Sequence, residues 1–311
     1  MRFLVVGAGA TGGFFGVRLA QAGRDVTFLV RSARAAQLRE SGLAIVDPRG
    51  EVTTIAPNVV TRDELAGTYD VVLLGVKAYS LESAIEDFAP AVGAETAILP
   101  MLNGMRHIDL LSARFGAPRV YGGAGIVSTT LDDAGRIVQL NDMQELVFGE
   151  LDGAETERVR EIERALGGAG FKATVSPRIV HDMWQKWVTL ASVGGITATM
   201  RGSLDDVHAV PGGNEFALAY LDDAAAVAAA ADYALAPAGL ARIQALLTTP
   251  GALPTSSMYR DLLGNRPIEA DAIVGDLVER ARQLGVATPL VAAAYANLKI
   301  YERNRDEVRA R

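Results

Sequence analysis

The feature that most constrains the fold is a glycine pattern near the start of the chain. A short apolar run, Phe3 to Val6, is typical of a buried parallel strand. It is followed by Gly7-Ala8-Gly9-Ala10-Thr11-Gly12 and by a helical stretch that ends near Gly23. In this G-x-G-x-x-G spacing, the first glycine permits a tight turn, the second lets the backbone approach a pyrophosphate, and the third lets the helix pack against the strand. The helix N-terminus adds N–H groups that favour phosphates. The pattern predicts a dinucleotide site, and an ordinary structural turn is the alternative.

The second apolar run, Val26 to Val30, ends at basic residues that indicate which dinucleotide is bound. Proteins that select NAD usually place an acidic residue about 20 positions after the glycines, where it holds the ribose 2′-hydroxyl. This chain instead has Arg31, Ser32 and Arg34. A guanidinium offers a planar set of donors that suits a 2′-phosphate, so we expect NADP(H), with Arg31 as the phosphate contact. The alternative is that Arg31 only begins a solvated helix.

Composition limits the other classes of function. At 311 residues the chain is long enough for two domains, and its net charge of −7 argues against a nucleic-acid partner. It has no cysteine and three isolated histidines, His107, His181 and His208, so we expect neither a metal site nor a histidine that acts as ligand or base. The sequence has no signal-peptide core and no apolar run of membrane length, which predicts a cytoplasmic protein without a membrane partner.

Apolar runs alternate with helical patterns in the first part of the chain, which predicts an α/β domain over residues 1–176. The run Tyr69–Val76 is typical of a central strand and is followed by Lys77, and the run Ala97–Leu102 is followed by Asn103. Ligands of doubly wound sheets collect at the carboxyl ends of strands, so we expect Lys77 and Asn103 to contact cofactor or substrate. A solvated lysine and an Asn-Gly turn are the alternatives.

No convincing strand follows Val175, which predicts an all-helical second domain over residues 177–311. The expected fold class is therefore a Rossmann-type α/β domain followed by an all-α domain. We expect the helical domain to serve substrate binding or dimerisation, and both a monomer and a homodimer remain open.

Four local patterns give further expectations. The segments Gly135–Leu140 and Glu145–Gly149 are expected to form a hairpin. The helix over Arg178–Met200 is expected to be interrupted at Gly194-Gly195. The alanine-rich helix over Asn214–Ala234 has no polar face at its centre, which predicts burial on all sides. Trp184 and Trp187 are expected to be core residues rather than cofactor contacts.

Six short motifs occur in the order seen in ketopantoate reductases, and the chain resembles that family over essentially its full length. The motifs are Gly7-Ala8-Gly9-Ala10-Thr11-Gly12, Val76-Lys77-Ala78, Asn103-Gly104-Met105, Trp184-Gln185-Lys186, Ser256-Ser257-Met258 and Glu269-Ala270-Asp271-Ala272-Ile273-Val274-Gly275. The resemblance implies NADPH-dependent reduction of a small 2-oxo acid at the cleft between a Rossmann domain and a helical domain. The family's best-known reaction reduces ketopantoate (2-dehydropantoate) to pantoate in pantothenate biosynthesis.

The resemblance also implies roles for individual residues. A hydride arriving at a ketone carbon builds negative charge on the oxygen, which a positioned acid must neutralise. Lys186 matches the family's proton donor, and Glu269 matches the glutamate that orients both this lysine and the cofactor. Ser257 matches a contact to the substrate carboxylate. Asn103 and Lys77 match residues that hold the nicotinamide end and the substrate, and Ser128 is expected near the cofactor.

Each of these residues has a purely structural alternative. Lys186 could be a surface lysine whose stem covers the neighbouring tryptophans. Glu269 could owe its place to the favourable position of an acid at the start of a helix. Ser257 could simply cap its helix.

Two departures from the family lie on the same helix as Lys186. Where the family has substrate-binding asparagines four and eight residues after the lysine, this chain has Leu190 and Gly194. That spacing keeps both positions on the lysine's face of the helix, so one wall of the pocket is expected to be apolar and roomier. We still expect 2-dehydropantoate as the substrate, and the change makes a bulkier or less hydroxylated 2-oxo acid a reasonable hypothesis. A different carbonyl or imine substrate on the same scaffold, or a cofactor-binding protein with little turnover, remain alternatives.

Overall fold

The structure is a computed structural model that describes residues 1–251 and 255–309. The chain divides into two compact units. The first comprises Met1–Leu102 and His107–Val180, and the second comprises Asn103–Arg106 and the residues from His181 onward. The short segment Asn103–Arg106 therefore groups with the C-terminal unit although it lies within the N-terminal sequence.

The first unit is built on a five-stranded parallel sheet in the strand order β5-β2-β1-β6-β7. Its strands are β1 (Arg2–Val6), β2 (Asp25–Leu29), β5 (Asn58–Val60), β6 (Tyr69–Leu74) and β7 (Val92–Pro100). The helices of this unit are α1 (Ala10–Gln21), α2 (Ser32–Ser41), α3 (Leu81–Phe88), α4 (Arg106–Phe115) and α5 (Glu157–Leu166). The sequences of these strands are continuous apolar runs because helices cover the sheet, as in parallel sheets generally. The predicted fold class of this domain is confirmed.

A second sheet, which the sequence did not predict, lies in the same unit. Its strands are β3 (Leu43–Val46), β4 (Val52–Ile55), β8 (Tyr121–Leu131), β9 (Ile137–Glu150) and β10 (Lys172–Val175). They follow the order β10-β9-β3-β4, with β8 paired to β9. The long antiparallel pair β8–β9 supplies most of this sheet.

The expected hairpin between residues 135–140 and 145–149 is wrong, because both segments belong to the single strand β9. The hairpin partner of β9 is β8, joined through a turn at Asp132, whose carboxylate accepts N–H bonds from Ala134 and Arg136. The turn-like residues near Asn141 form a bulge inside β9 instead. Gln139 donates to the Asn141 carbonyl, and the Asn141 side chain accepts from the backbone of Met143. Such local bonds imitate a turn in the sequence pattern.

Helix α1 packs between the two sheets, and glycines make the close contacts possible. A Cβ at Gly16 would lie 2.5 Å from Cε1 of Phe28 on β2, and one at Gly13 would lie 2.7 Å from Cδ1 of Ile137 on β9. Phe14 and Phe15 of the same helix are fully buried. The core of the first unit is therefore centred on α1.

Every regular element in the described part of the second unit is a helix, as predicted. Its helices are α6 (Ile179–Met200), α7 (Leu204–His208), α8 (Gly213–Ala230), α9 (Pro237–Thr248), α10 (Ser257–Leu263), α11 (Asp276–Leu284) and α12 (Pro289–Arg309). A π-helical stretch, Asp271–Gly275, precedes α11 and is named here the π segment. Within the described parts of the chain, no helix is both long and apolar enough to cross a membrane.

Two expectations about these helices are wrong. Helix α6 continues through Gly194-Gly195 without interruption. Gly195 is there because a Cβ would overlap the hydroxyl of Tyr220 on α8, so glycine allows the two helices to touch. Helix α8 is not buried on all sides, since Ala226, Ala229 and Ala230 are exposed. Alanine has the highest helix propensity and a small apolar side chain, which suits it to an exposed face as well as to a core.

The contact at Gly195 gives a stability prediction. Gly195→Ala should destabilise the fold by about 1–3 kcal/mol, because overpacking against the fully buried Tyr220 outweighs the gain in helix propensity. The measurement is urea unfolding followed by circular dichroism. The matched control is Gly194→Ala, whose Cβ would lie 3.2 Å from the flexible Cε of Met258. Equal stability of the two variants would show that the α6–α8 contact does not constrain position 195.

Candidate functional site

The predicted dinucleotide loop connects β1 to α1, and its glycines meet the end of β6. A Cβ at Gly12 would lie 2.5 Å from the carbonyl oxygen of Gly7, and a Cβ at Gly75 would overlap Gly12. Gly7 has a φ of +91°, which a side chain would strain. Gly9 is the N-cap of α1 and has no side chain. The N–H groups of the first turn are therefore not occupied by a capping side chain. This cradle has the shape and polarity that a diphosphate requires.

Arg31 directly precedes α2 and Arg34 lies in its first turn, and the two have different surroundings. The Arg34 guanidinium donates to the carbonyl oxygens of Ala8 and Gly135 at 3.2 and 2.9 Å and to the side chain of Gln37 at 2.6 Å. Arg34 therefore stabilises the glycine loop through its hydrogen bond to Ala8. Arg31 is exposed and donates to the Ser80 hydroxyl at 3.3 Å. Of the two, Arg31 is the one whose head group faces solvent beside a second hydrogen-bonding group.

Ser80 is a candidate residue that the sequence reasoning missed. It closes the short helical turn Ala78–Ser80 that begins after Lys77, and its backbone N–H donates to the Lys77 carbonyl. This turn follows β6 and brings Lys77 and Ser80 to the same end of the sheet as Arg31. The available signal was the position of Ser80, three residues after Lys77 at the end of a central strand.

Ser128 lies at an irregularity of β8, where the pairing with β9 shifts between Val127 and Thr129. Three residues earlier, a Cβ at Gly125 would lie 3.8 Å from Cγ2 of Thr11 in the first turn of α1. The strand therefore passes beside the start of α1. The role of Ser128 near the cofactor stays a prediction.

The second unit contains the predicted catalytic pair. Lys186 is half-buried on α6, and burial lowers the pKa of its ammonium to about 8, while the Glu269 carboxylate acts in the opposite direction and favours the charged form. Glu269 is itself buried, with 7% of its surface exposed. A lysine with a pKa near neutrality can hold a proton and release it under ordinary conditions. The structure therefore brings Lys186 and Glu269 together in one electrostatic pair.

The π segment, which the sequence did not predict, begins two residues after Glu269. The backbone N–H of Ile273 donates to the Glu269 carbonyl at 3.0 Å, and the Ile273 carbonyl accepts from Trp187 Nε1 at 2.9 Å. Within the π segment, Gly275 lies against the ring of Tyr295, where a Cβ would be 2.7 Å from Cε2. The Tyr295 hydroxyl donates to the Asp271 carboxylate at 2.6 Å. Bulges of this kind are frequent at functional sites.

Asn103 is placed beside the π segment by the glycine that follows it. Gly104 has a φ of +83°, and a Cβ there would overlap the carbonyl oxygen of Ala272. The same Cβ would lie 3.9 Å from Nε1 of Trp187. The Asn103-Gly104 turn therefore adjoins both the π segment and the residue next to Lys186.

Ser257 is exposed at the first position of α10, but it is not the helix cap. Ser256 caps the helix by accepting from the Tyr259 N–H, and its hydroxyl also lies 3.0 Å from the Thr197 hydroxyl on α6. The capping role considered for Ser257 is thus filled by its neighbour.

The wall at Leu190 and Gly194 is less open than the sequence suggested. The space beside Gly194 is occupied by Met258, since a Cβ at Gly194 would lie 3.2 Å from Met258 Cε. Leu190 is half-buried one helical turn from Lys186. The amide groups are absent from this wall as expected, and the extra room expected at Gly194 is filled by the Met258 thioether, with the Ser256 hydroxyl 3.9 Å from the same Cβ.

The histidines have structural surroundings. His181 Nε2 lies 2.9 Å from the Ala234 carbonyl, and His208 Nδ1 lies 2.9 Å from the side-chain oxygen of Asn214. His107 is buried in α4. No group of three or more potential ligand side chains in the described residues is arranged to hold a metal ion. Trp184 and Trp187 are both buried, with ring centroids 4.8 Å apart.

Comparison with known proteins assigns the family. The family model for ketopantoate reductase PanE/ApbA matches residues 3–153, and the model for its C-terminal part matches residues 178–302. The uncharacterized oxidoreductase YkpB of Bacillus subtilis is 37% identical over 305 residues, which cover 98% of this chain and 100% of that protein. A 2-dehydropantoate 2-reductase of Mesorhizobium japonicum is 28% identical, covering 95% of this chain and 96% of the relative.

A solved structure of D-mandelate dehydrogenase with NADH and anilino(oxo)acetate shares the fold. Its TM-score is 0.89 at 22% identity, covering 98% of this chain and 100% of that chain. With both family models matched, the chain belongs to the ketopantoate reductase family, and the resemblance inferred from the six motifs is confirmed. The protein is an oxidoreductase.

The Lys186–Glu269 pair gives a prediction that needs no substrate. Glu269→Gln should move the pKa of Lys186 further below about 8, because it removes the carboxylate that favours the ammonium while burial still disfavours it. The measurement is the pH dependence of Lys186 acetylation by trace acetic anhydride, quantified by peptide mass spectrometry.

Two controls make that titration specific. Glu279→Gln removes an exposed carboxylate on α11, where it pairs with Arg282, and should leave Lys186 unchanged. Lys299, whose pKa is raised mainly by its bonds to Glu302 and Asp271 against the opposing effect of burial, should stay unreactive across the same pH range. An unchanged Lys186 titration in Glu269→Gln would contradict the pairing.

Proposed function

We propose that the protein is an NADPH-dependent reductase of a 2-oxo acid in which Lys186 donates the proton. The observation that carries this proposal is the half-buried Lys186, with its pKa lowered to about 8, beside the buried carboxylate of Glu269. A protein that only binds a cofactor has no need of a tuned acid. Family membership supports the same reaction type.

The first domain, residues 1–176, is proposed to hold the cofactor. The backbone of Gly7 to Gly12 would receive the diphosphate at the N-terminus of α1, and Arg31 with Ser80 would receive the 2′-phosphate of NADPH. Lys77 and Ser128 are proposed as further contacts. The fold-sharing D-mandelate dehydrogenase was solved with NADH, so the fold alone does not fix the choice of coenzyme. Arg31 and Ser80 of this chain favour NADPH.

Residues 177–311, together with Asn103, are proposed to bind the substrate. Asn103 and Ser257 would hold the substrate's polar groups, with Ser257 facing the carboxylate. When bound, NADPH supplies a hydride to the carbonyl carbon. Lys186 polarises the carbonyl oxygen and transfers its proton to it as the C=O electron pair moves onto the oxygen, which leaves a neutral amine. Glu269 keeps Lys186 protonated before the transfer and orients it.

The lowered pKa of Lys186 sets the direction of the pH dependence. The protonated fraction of Lys186 falls as the pH rises through about 8, so the acid needed for reduction is lost above that pH. The neutral amine formed at higher pH is the base that the reverse oxidation needs.

The first candidate substrate is 2-dehydropantoate, which would be reduced to pantoate in pantothenate biosynthesis in the cytoplasm. The second candidate is a 2-oxo acid with an apolar side chain, and a specific observation favours it. Leu190 lies one turn from Lys186, and Met258 fills the space beside Gly194, so the wall on this helix face lacks side-chain hydrogen-bonding groups at both positions. A homodimer formed by the helical domain is compatible with either substrate.

The decisive experiment is NADPH oxidation by the purified protein near pH 7 with a panel of 2-oxo acids that includes 2-dehydropantoate and branched or aromatic acids. We expect turnover with at least one of them, and Lys186→Ala should lower kcat at least 100-fold while NADPH affinity is unchanged, because general acid catalysis contributes about 100- to 10,000-fold. Turnover in Lys186→Ala close to that of the wild type would overturn the proposed role. NADPH binding without turnover of any panel member would favour the binding-protein alternative.

The coenzyme choice has its own prediction. Arg31→Ala should weaken NADPH binding about 10- to 100-fold, as expected for loss of a charge-assisted hydrogen bond of roughly 1.5–3 kcal/mol, and should leave NADH binding nearly unchanged. Dissociation constants from fluorescence titration provide the test. Arg39→Ala is the matched control, since Arg39 lies on α2, the helix that begins directly after Arg31, but pairs with Glu64. An equal loss for both coenzymes would refute the contact to the 2′-phosphate.

A further inference from the structure

One hydrogen bond links the helix that carries Lys186 to the backbone that carries Glu269. Trp187, the residue after Lys186 on α6, donates from Nε1 to the carbonyl oxygen of Ile273 at 2.9 Å. Ile273 in turn donates its backbone N–H to the carbonyl of Glu269 at 3.0 Å. Together with the electrostatic interaction of Lys186 and Glu269, these bonds close a ring around the catalytic pair.

This ring of bonds fixes the separation between Lys186 and Glu269, which the local sequence around each residue does not fix. Lys186 and Glu269 lie on different elements, and their interaction depends on the register between α6 and the π segment. Trp187 is 1% exposed, and its indole cannot change rotamer within a packed core. Its hydrogen bond therefore has one geometry available. Its acceptor lies in the π segment, where the backbone departs from the regular α-helical pattern.

Three contacts with α12 hold the π segment, which contains the acceptor. Gly275 approaches the Tyr295 ring too closely for any side chain, and Tyr295 donates to Asp271 at the beginning of the π segment. Asp271 also accepts from Lys299 at 3.0 Å. The π segment is thus fastened to α12 through Tyr295 and Lys299, and to α6 through Trp187.

We propose that Trp187 is a positioning residue of the reductase site, whose indole N–H sets the distance between Glu269 and Lys186. This inference rests on the proposed function for its catalytic meaning, but the positioning itself can be measured without substrate. The competing explanation is that the bond only satisfies a buried indole N–H, as buried tryptophans generally require. The two explanations differ in whether loss of the bond changes the titration of Lys186.

The test is Trp187→Phe, which removes the N–H and keeps an aromatic ring. If Trp187 holds Glu269 against Lys186, the acetylation titration of Lys186 should move to lower pH, in the same direction as for Glu269→Gln. Once a substrate has been identified, the pH above which kcat declines in Trp187→Phe should fall by the same amount as the Lys186 titration. NADPH affinity should not change, because Trp187 is not placed among the cofactor contacts.

The chain offers a closely matched control in Trp184→Phe. Trp184 is also buried, contacts Trp187, and lies 5.9 Å from the Arg280 guanidinium, against 5.8 Å for Trp187. Both substitutions therefore shorten an aromatic ring system by the same amount and weaken a similar cation–π contact, and only Trp187→Phe removes the bond to Ile273. A titration shift of equal size in both variants would mean that core packing alone controls Lys186, which would overturn the proposal.

A double-mutant cycle separates positioning from general loosening. In the Glu269→Gln background, Trp187→Phe should produce no further shift of the Lys186 titration, because the group that it positions is already neutral. Additive shifts would show that Trp187 acts on Lys186 by another route and would overturn the inference. Circular dichroism and thermal unfolding of all variants establish that each is folded before the titrations are compared.

The outcomes also distinguish this inference from the proposed function. Failure of the wild type to reduce any 2-oxo acid would remove the proposed function, while the titration would still decide whether Trp187 positions the pair. Normal turnover with an unchanged titration in Trp187→Phe would leave the function in place and remove the positioning role. The chain has four lysines, Lys77, Lys172, Lys186 and Lys299, so each can be followed separately in one labelling experiment.

Discussion

The first unit depends on the contact between backbone segments at Gly7, Gly12 and Gly75. Here the end of β1, the first turn of α1 and the end of β6 approach so closely that side chains at Gly12 or Gly75 would meet backbone atoms. The approach brings α1 into the space between the two sheets, where Gly13 and Gly16 continue the same close packing. It also leaves the N-terminus of α1 without a capping side chain, so that its N–H groups are available to an anion. One packing requirement therefore produces both the core and the diphosphate cradle.

The second unit depends on an electrostatic balance at Lys186. Burial disfavours the ammonium of Lys186, and the Glu269 carboxylate offsets part of that desolvation. The pKa of Lys186 therefore lies below that of a free lysine and above the value that burial without a carboxylate would give. In this range a lysine can act as a general acid. The structural alternative for Lys186, a solvated lysine that covers aromatic surface, does not account for this balance. A lysine of that kind keeps its ammonium in water and has no need of a buried carboxylate.

The parts of this molecule that could be predicted from sequence are those in which a local pattern has one physical meaning. The G-x-G-x-x-G loop and the parallel strands are of this kind, because glycine spacing and apolar runs constrain the backbone directly. The bulge in β9 was misread as a hairpin, because the bonds that Asn141 makes to its neighbours also occur in turns. Ser80, the π segment and the role of Met258 escaped prediction because they arise from contacts between distant segments. Gly195 was misread as a helix break for the same reason, since its cause lies on α8.

Chemistry and substrate choice are separable in this site. In the proposed reaction, Lys186 and Glu269 would act on the carbonyl, which every 2-oxo acid shares, whereas Leu190 and Met258 would lie against the part of the substrate that differs. A pocket that hydrogen-bonds a hydroxyl can reject analogues lacking it by about 10,000-fold or more, but an apolar pocket discriminates between similar side chains by only about 10- to 200-fold. With an apolar wall, the proposed reductase would therefore accept several acids at comparable rates. Under that condition the substrate used in the cell follows from which 2-oxo acid is abundant as much as from the pocket itself.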